Sequence, residues 1–135
     1  MKNILNCFLV MIIIILFFLS CSEDNNPTKP KSEAEKFYGR WNLEKLTFHT
    51  DSTSEVIDIT GLELALVFKK DGVLEVYDGT QLTSTDQWEI LNDSRLKIIE
   101  NQEEIIFDYE ISESDLILTI TESNDDRLVY EFKKQ

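Results

Sequence analysis

The sequence predicts an all-β domain, an eight-stranded antiparallel up-and-down barrel with a short N-terminal helical turn. Three observations carry this. From Arg40 onward, apolar residues recur at every second position, the period of a strand with one face buried. Short clusters of turn residues separate the alternating runs, so neighbours join as hairpins and no parallel crossover fits between them. Eight such runs are present, enough to close a ring and remove the edges that an open meander leaves unpaired.

The elements follow in chain order. Ser32-Glu33-Ala34-Glu35 has capping-box spacing, with Ser32 as N-cap and Glu35 three residues on. A helical turn through Lys36-Phe37-Tyr38 is expected to end at Gly39, which tolerates a left-handed cap. Strands are expected at 40–48, 62–70, 73–78, 81–90, 95–100, 103–112, 115–122 and 127–133. In the first, Trp41 and Leu43 share a face while Leu46 and Phe48 fall in the opposite phase. A bulge near Glu44-Lys45 returns all four to one side. Leu62, Leu64, Leu66 and Phe68 form the apolar face of the second strand. Ile105, Phe107, Tyr109 and Ile111 do so in the sixth, Leu116, Leu118 and Ile120 in the seventh, and Leu128, Tyr130 and Phe132 in the last. The breaks are turn formers such as Lys70-Asp71-Gly72, Tyr77-Asp78-Gly79 and Asn92-Asp93-Ser94. The longest gap, His49 to Gly61, separates the first two strands. The first and last strands are expected to pair and close the ring, which brings Lys133 or Lys134 toward Trp41.

Ahead of the domain, Lys2 heads an unbroken apolar run of twelve residues, Phe8 to Leu19, that ends at Ser20-Cys21. A bilayer span needs ~20 residues, whereas 7–15 suits the core of a signal peptide. Phe18-Leu19-Ser20-Cys21 resembles the lipobox of bacterial lipoproteins. The resemblance implies that residues 1–20 are cleaved and that Cys21 is acylated as the first residue of the mature chain. Cys7 leaves with the leader, so the folded domain has no cysteine for a disulfide or a thiolate metal site. Buried acyl carbons contribute ~0.8 kcal/mol per CH₂, and two or more chains hold stably, which makes the membrane a partner through Cys21. Residues 22–31 contain both prolines and no large apolar side chain, so 21–36 reads as lipidated cysteine and linker ahead of the domain at 37–135. Ser22-Glu23-Asp24-Asn25-Asn26 resembles the export signal of Bacteroidetes-type lipoproteins. That implies an outer-membrane anchor, with the cell surface ranked ahead of the periplasmic face.

Gly39-Arg40-Trp41 resembles the Gly-x-Trp signature that opens the first lipocalin strand. Leu66-Val67-Phe68-Lys69-Lys70-Asp71-Gly72, Trp88-Glu89-Ile90 and Tyr130-Glu131-Phe132-Lys133-Lys134 are similar to the lipocalin-like domains of Bacteroidetes-type lipoproteins, over residues 37–134. The resemblance implies structural roles for Gly39 and Trp41, and a barrel interior able to take a small apolar ligand. Lipocalins cover that Trp with an Arg; here the cation would be Lys133 or Lys134, a poorer planar partner for an indole.

Charge and chemistry narrow the function. The chain carries 26 acids against 13 Lys plus Arg; removing Lys2 with the leader leaves 12, a net charge of −14. Nucleic acid and anionic lipid head groups are therefore poor partners. His49 is the single histidine. It has no His or Cys companion for a metal, and the nearby Ser52 and Ser54 lack a nucleophile elbow. With so many acids, a carboxylate pair has no specificity for glycoside hydrolysis. Ser123-Asn124-Asp125-Asp126 lacks calcium-loop spacing and reads as a hairpin turn. No enzyme, cofactor or metal is expected, and oligomeric state is not legible.

One position says more. On the face bearing Leu82, Trp88 and Ile90, alternation also points Ser84 and Asp86 inward. A carboxylate in an apolar barrel is costly unless paired, so it would mark a ligand contact or a wet mouth. The simpler expectation is that a bulge flips the strand and turns Asp86 to solvent. The ligand-facing set is Ser84, Asp86, Trp88, Tyr109 and Tyr130. Val56 and Ile57 join it from loop 49–61, expected over the open end with Ile59. The alternative function is a structural or protein-interaction module with a filled barrel; a cavity above ~300 Å³ would favour a ligand.

Overall fold

The structure, a computed structural model, describes residues 32–122 and 124–135. The expected signal peptide, Cys21 and the linker through residue 31 lie outside these residues, as does Ser123.

Ser32 caps α1 (Glu33–Phe37). Its hydroxyl accepts the Glu35 N–H at 3.4 Å, and its own N–H donates to Glu35 Oε2 at 3.0 Å, so two backbone donors of the first turn are satisfied reciprocally. The helix ends at Phe37, one residue before the expected stretch does. Tyr38 is already extended, at φ −56° and ψ 133°. Gly39, at φ +118°, is the first residue of a strand rather than a helix cap. This abrupt turn sets Trp41 beneath the helix, where its Nε1–H donates to the Phe37 carbonyl at 2.7 Å.

Among the described residues nine strands follow: β1 (Gly39–His49), β2 (Ser54–Ile57), β3 (Leu64–Phe68), β4 (Val73–Asp78), β5 (Gln81–Asn92), β6 (Arg95–Glu100), β7 (Glu103–Ile111), β8 (Asp115–Thr121) and β9 (Arg127–Lys134). From β3 to β9 each strand pairs antiparallel with the next, and β1 pairs with both β3 and β9. β1 and β3–β9 thus form a closed eight-stranded barrel, as the alternation predicts. The ninth strand corrects the expected loop. β3 reaches only Gly39–Asn42 of β1, and β2 pairs with Leu46–His49 along the same edge. Without β2 those upper N–H and C=O groups of β1 would be unpaired. All four residues of β2 are exposed, so no apolar alternation announces it.

The bulge expected in β1 is present. Its register with β9 slips between Leu43, opposite Phe132, and Lys45, opposite Glu131. Directly opposed residues share a face, so Trp41, Leu43, Leu46 and Phe48 all point inward with the apolar face of β9. Between β6 and β7, Asn101 and Gln102 both have positive φ, 50° and 72°, as a two-residue type I′ hairpin requires.

Phe37 plugs one end of the barrel. Its ring lies 5.3 Å from Phe68, 5.5 Å from Trp88 and 5.0 Å from Tyr109, centroid to centroid. Phe37, Trp41, Leu96 and Leu116 are fully buried there. Of the two lysines expected near Trp41, Lys134 takes the place, while Lys133 points outward and pairs with Asp115.

Candidate functional site

The cavity's polar wall is decided where β5 meets β4. Val76 is opposite Ser84 and Tyr77 opposite Leu82, which leaves Thr83 as an extra residue in β5. Thr83 Oγ1 donates to the Val76 carbonyl at 3.0 Å and holds the bulge. Tyr77 faces outward, with the Arg40 guanidinium 5.0 Å above its ring, so its partner Leu82 faces outward too and is 48% exposed. Beyond the bulge, Ser84, Asp86 and Trp88 return to the inner face. The simple expectation for Asp86 is corrected: a bulge does flip the phase, but at Thr83, and it turns out Leu82 instead of Asp86.

Toward the end away from Phe37, the barrel interior holds a partly open cavity of about 240 Å³. Leu64, Leu66, Leu74, Val76, Ile98, Ile105, Phe107, Leu118, Tyr130 and Phe132 make its apolar wall; Ser84, Asp86 and Glu100 are its polar members. Three of the residues expected to face a ligand, Ser84, Asp86 and Tyr130, are thus brought together. Ser84 Oγ donates to Asp86 Oδ2 at 2.8 Å. Burial pushes the Tyr130 phenol up from its ordinary pKa. Glu100 was missed from sequence, although it continues the inward phase of Leu96 and Ile98. The β5–β6 pairing runs as far as Gln87 opposite Ile99; beyond it Asp86 is half-buried and Glu100, the last residue of β6, is exposed. Among the ion pairs of the described residues, neither of these carboxylates takes part.

The other expected residues lie elsewhere. Trp88 and Tyr109 face inward but pack on Phe37, below the cavity. Trp88 Nε1–H donates to the Lys69 carbonyl at 3.2 Å. The Tyr109 hydroxyl lies 3.3 Å from the Asn92 carbonyl and 3.4 Å from Glu33 Oε1. Burial first, and then the Glu33 charge, push its pKa up to about 12. Both residues build the floor of the cavity and do not line it. Val56 and Ile57 are 60% and 37% exposed and are not among the lining residues. β2 extends the sheet sideways from β1 and does not fold across the mouth. Ile59, by contrast, packs against the core. His49 ends β1 opposite Ser54 and Arg127. Asp125 and Glu122 form the expected hairpin turn between β8 and β9, Asp125 N–H donating to the Glu122 carbonyl at 3.2 Å.

Among the described residues no group of His, Cys, Asp or Glu has the clustering to hold a metal ion, and no helix is long and apolar enough to cross a membrane. Compared with known proteins, the chain matches no family model and no curated protein. Its class is therefore defined by its own geometry: a closed eight-stranded antiparallel β-barrel, plugged at one end by a helix and carrying an apolar cavity toward the other.

Proposed function

We propose that this protein is a lipid-anchored lipoprotein of the cell envelope whose barrel holds a small ligand by its apolar part. The observation that carries the ligand is the cavity, about 240 Å³ and walled mainly by aliphatic and aromatic side chains. It falls below the ~300–1,000 Å³ of drug-sized pockets. At ~30 Å³ for each water in the liquid it equals roughly eight waters, so the ligand is short. The anchor is supported by the twelve-residue apolar run and by Cys21 directly after Ser20. Acyl chains on Cys21 would tether the domain to the outer membrane, facing the cell surface, with the barrel acting as a carrier and not as an enzyme.

Native mass spectrometry of the chain purified from its own membrane tests the ligand, and the expected result is a co-purified small molecule. Ile105→Trp, which fills the cavity, should lose it. The small cavity volume favours a second reading, a filled barrel serving as an interaction module. That reading predicts no bound mass and no effect of Ile105→Trp beyond stability. For the anchor, Cys21→Ala should abolish detergent-phase partitioning without unfolding the barrel; retention in detergent would mean that the leader itself anchors the chain.

A further inference from the structure

We propose that the free edge of β2 takes a strand from a partner protein, an extended segment that sets a Lys or Arg opposite Glu55 and an apolar residue opposite Val56. This surface lies outside the cavity, and its failure would leave the ligand-holding reading untouched.

Among the described residues β2 pairs with β1 alone. Which of its groups stay unpaired follows from the turn before it. Thr50 N–H donates to the Thr53 carbonyl at 2.9 Å, and bonded and non-bonded pairs alternate along an antiparallel ladder. Phe48–Glu55 and Leu46–Ile57 are then the bonded pairs. Ser54 and Val56 turn their N–H and C=O groups the other way, to the free edge. The neighbouring wall leaves room there. β3 begins at Leu64 and β4 ends opposite it at Asp78, so neither runs on beside β2. The side chains give the same picture. Thr47, Val56 and Val129 form one row across the outer face. Thr47 has a strand on each side and is 4% exposed, whereas Val56, at the end of the row, is 60% exposed. A strand added beyond Val56 would cover it as the flanking strands cover Thr47.

Sheet edges are commonly blunted by Pro, Lys or a bulge, and β2 has none of these. Strand addition suits such an edge, with main-chain bonds for affinity and alternate side chains for specificity. Charge decides whose strand it is. Antiparallel pairing with a second copy uses every free group when Ser54 of one meets Val56 of the other. That register sets the two Glu55 carboxylates directly opposite each other, which destabilises a sheet. Residues 50–63 carry Asp51, Glu55, Asp58 and Glu63 and no Lys or Arg. A foreign segment with a basic residue opposite Glu55 replaces the repulsion with an attraction. Opposite Ile57, Val56, Glu55 and Ser54, the segment thus runs apolar, apolar, basic, small.

The test uses the full-length chain in phosphatidylcholine nanodiscs and a capped hexapeptide, Lys-Val-Val-Lys-Thr-Lys, whose second Val and Thr face Val56 and Ser54. One control is the same peptide N-methylated at those two residues, which keeps the charge and removes the donors. The other is Glu-Val-Val-Glu-Thr-Glu. The basic peptide is expected to bind at least about tenfold more tightly than either control. It should also slow amide hydrogen exchange at Ser54 and Val56, which is expected to be fast without it. Val56→Pro removes an N–H that β1 does not use, so the barrel should keep its melting temperature and lose the peptide. Should that variant not fold, the N-methylated peptide on wild-type protein still decides. Equal binding of the plain and N-methylated basic peptides reduces the effect to charge and overturns strand addition. An acidic peptide that binds as tightly as the basic one overturns the choice of partner. Slow exchange at Ser54 and Val56 before any peptide is added means that this chain or a second copy already holds the edge, and overturns the foreign strand. No binding by any peptide overturns the proposal outright.

Discussion

Lys134 lies over the indole of Trp41, its Nζ 4.8 Å from the ring centroid, and donates to the Lys36 carbonyl at 3.0 Å. One ammonium thus joins the end of β9 to the start of β1 and to α1, at the seam where the barrel closes. The same group satisfies a carbonyl near the helix C-terminus, where positive charge is favoured.

Trp41→Ala should destabilise the domain by ~3–5 kcal/mol, the range for deleting a large buried aromatic. Lys134→Met keeps most of the apolar stem and removes the cation, so its loss should be smaller, about 1 kcal/mol. Urea midpoints measure both. A Trp41→Ala midpoint close to wild type would put the indole outside the core.

Gly39→Ala tests the entry to β1. Gly39 sits at φ +118°, where L side chains are strained, and an added Cβ would lie 3.3 Å from Lys134 Cε. The expected loss exceeds ~1 kcal/mol, because Ala at positive φ destabilises by more than its entropic gain. An unchanged midpoint would mean that the backbone relaxes there freely.

Leu82→Ser separates strict alternation from the bulged strand. With Leu82 outside, the substitution should change stability by no more than ~0.5 kcal/mol, the usual range for the surface. If Leu82 shared the inner face with Trp88, truncating it would cost ~2–5 kcal/mol.

Acid should weaken the β8–β9 pairing through Asp115. Hydrogen bonds from Lys133 first, and then from Ser114 and Ser112, hold its pKa at about 2 against an ordinary 3.8. A carboxyl depressed on folding adds stability that is present above its unfolded pKa and lost as pH falls through the folded one. Melting temperatures of wild type and Asp115→Asn should therefore differ by a constant amount above pH 4 and converge toward pH 2. A gap that persists at pH 2 would trace the effect to something other than ionisation.

Much of this barrel is legible in the chain, because solvation is read locally. Leu116 and Leu118, or Tyr130 and Phe132, declare their face through immediate neighbours, and the resulting strands agree with the structure to within a residue or two at most ends. The bulge after Leu43 is legible for the same reason, since strong apolar residues on both sides of Glu44 are out of phase. Thr83 gives no such signal. Leu82, Ser84 and Asp86 do not agree on which face is buried, and only the partner register with Val76 and Tyr77 resolves them. β2 is hidden because it satisfies backbone groups of β1 without burying side chains. The depth of an inward residue is likewise a tertiary matter. Trp88, Tyr109 and Tyr130 all point into the barrel, but the Phe37 plug consigns the first two to the floor and leaves the third on the cavity wall. The sequence by itself determined the strands, their order and their apolar faces, which depend on neighbours two residues apart. The tertiary structure alone decided that Asp86 and Glu100 line the same apolar cavity, because that placement depends on the register between strands, set by hydrogen bonds and bulges elsewhere in the ring.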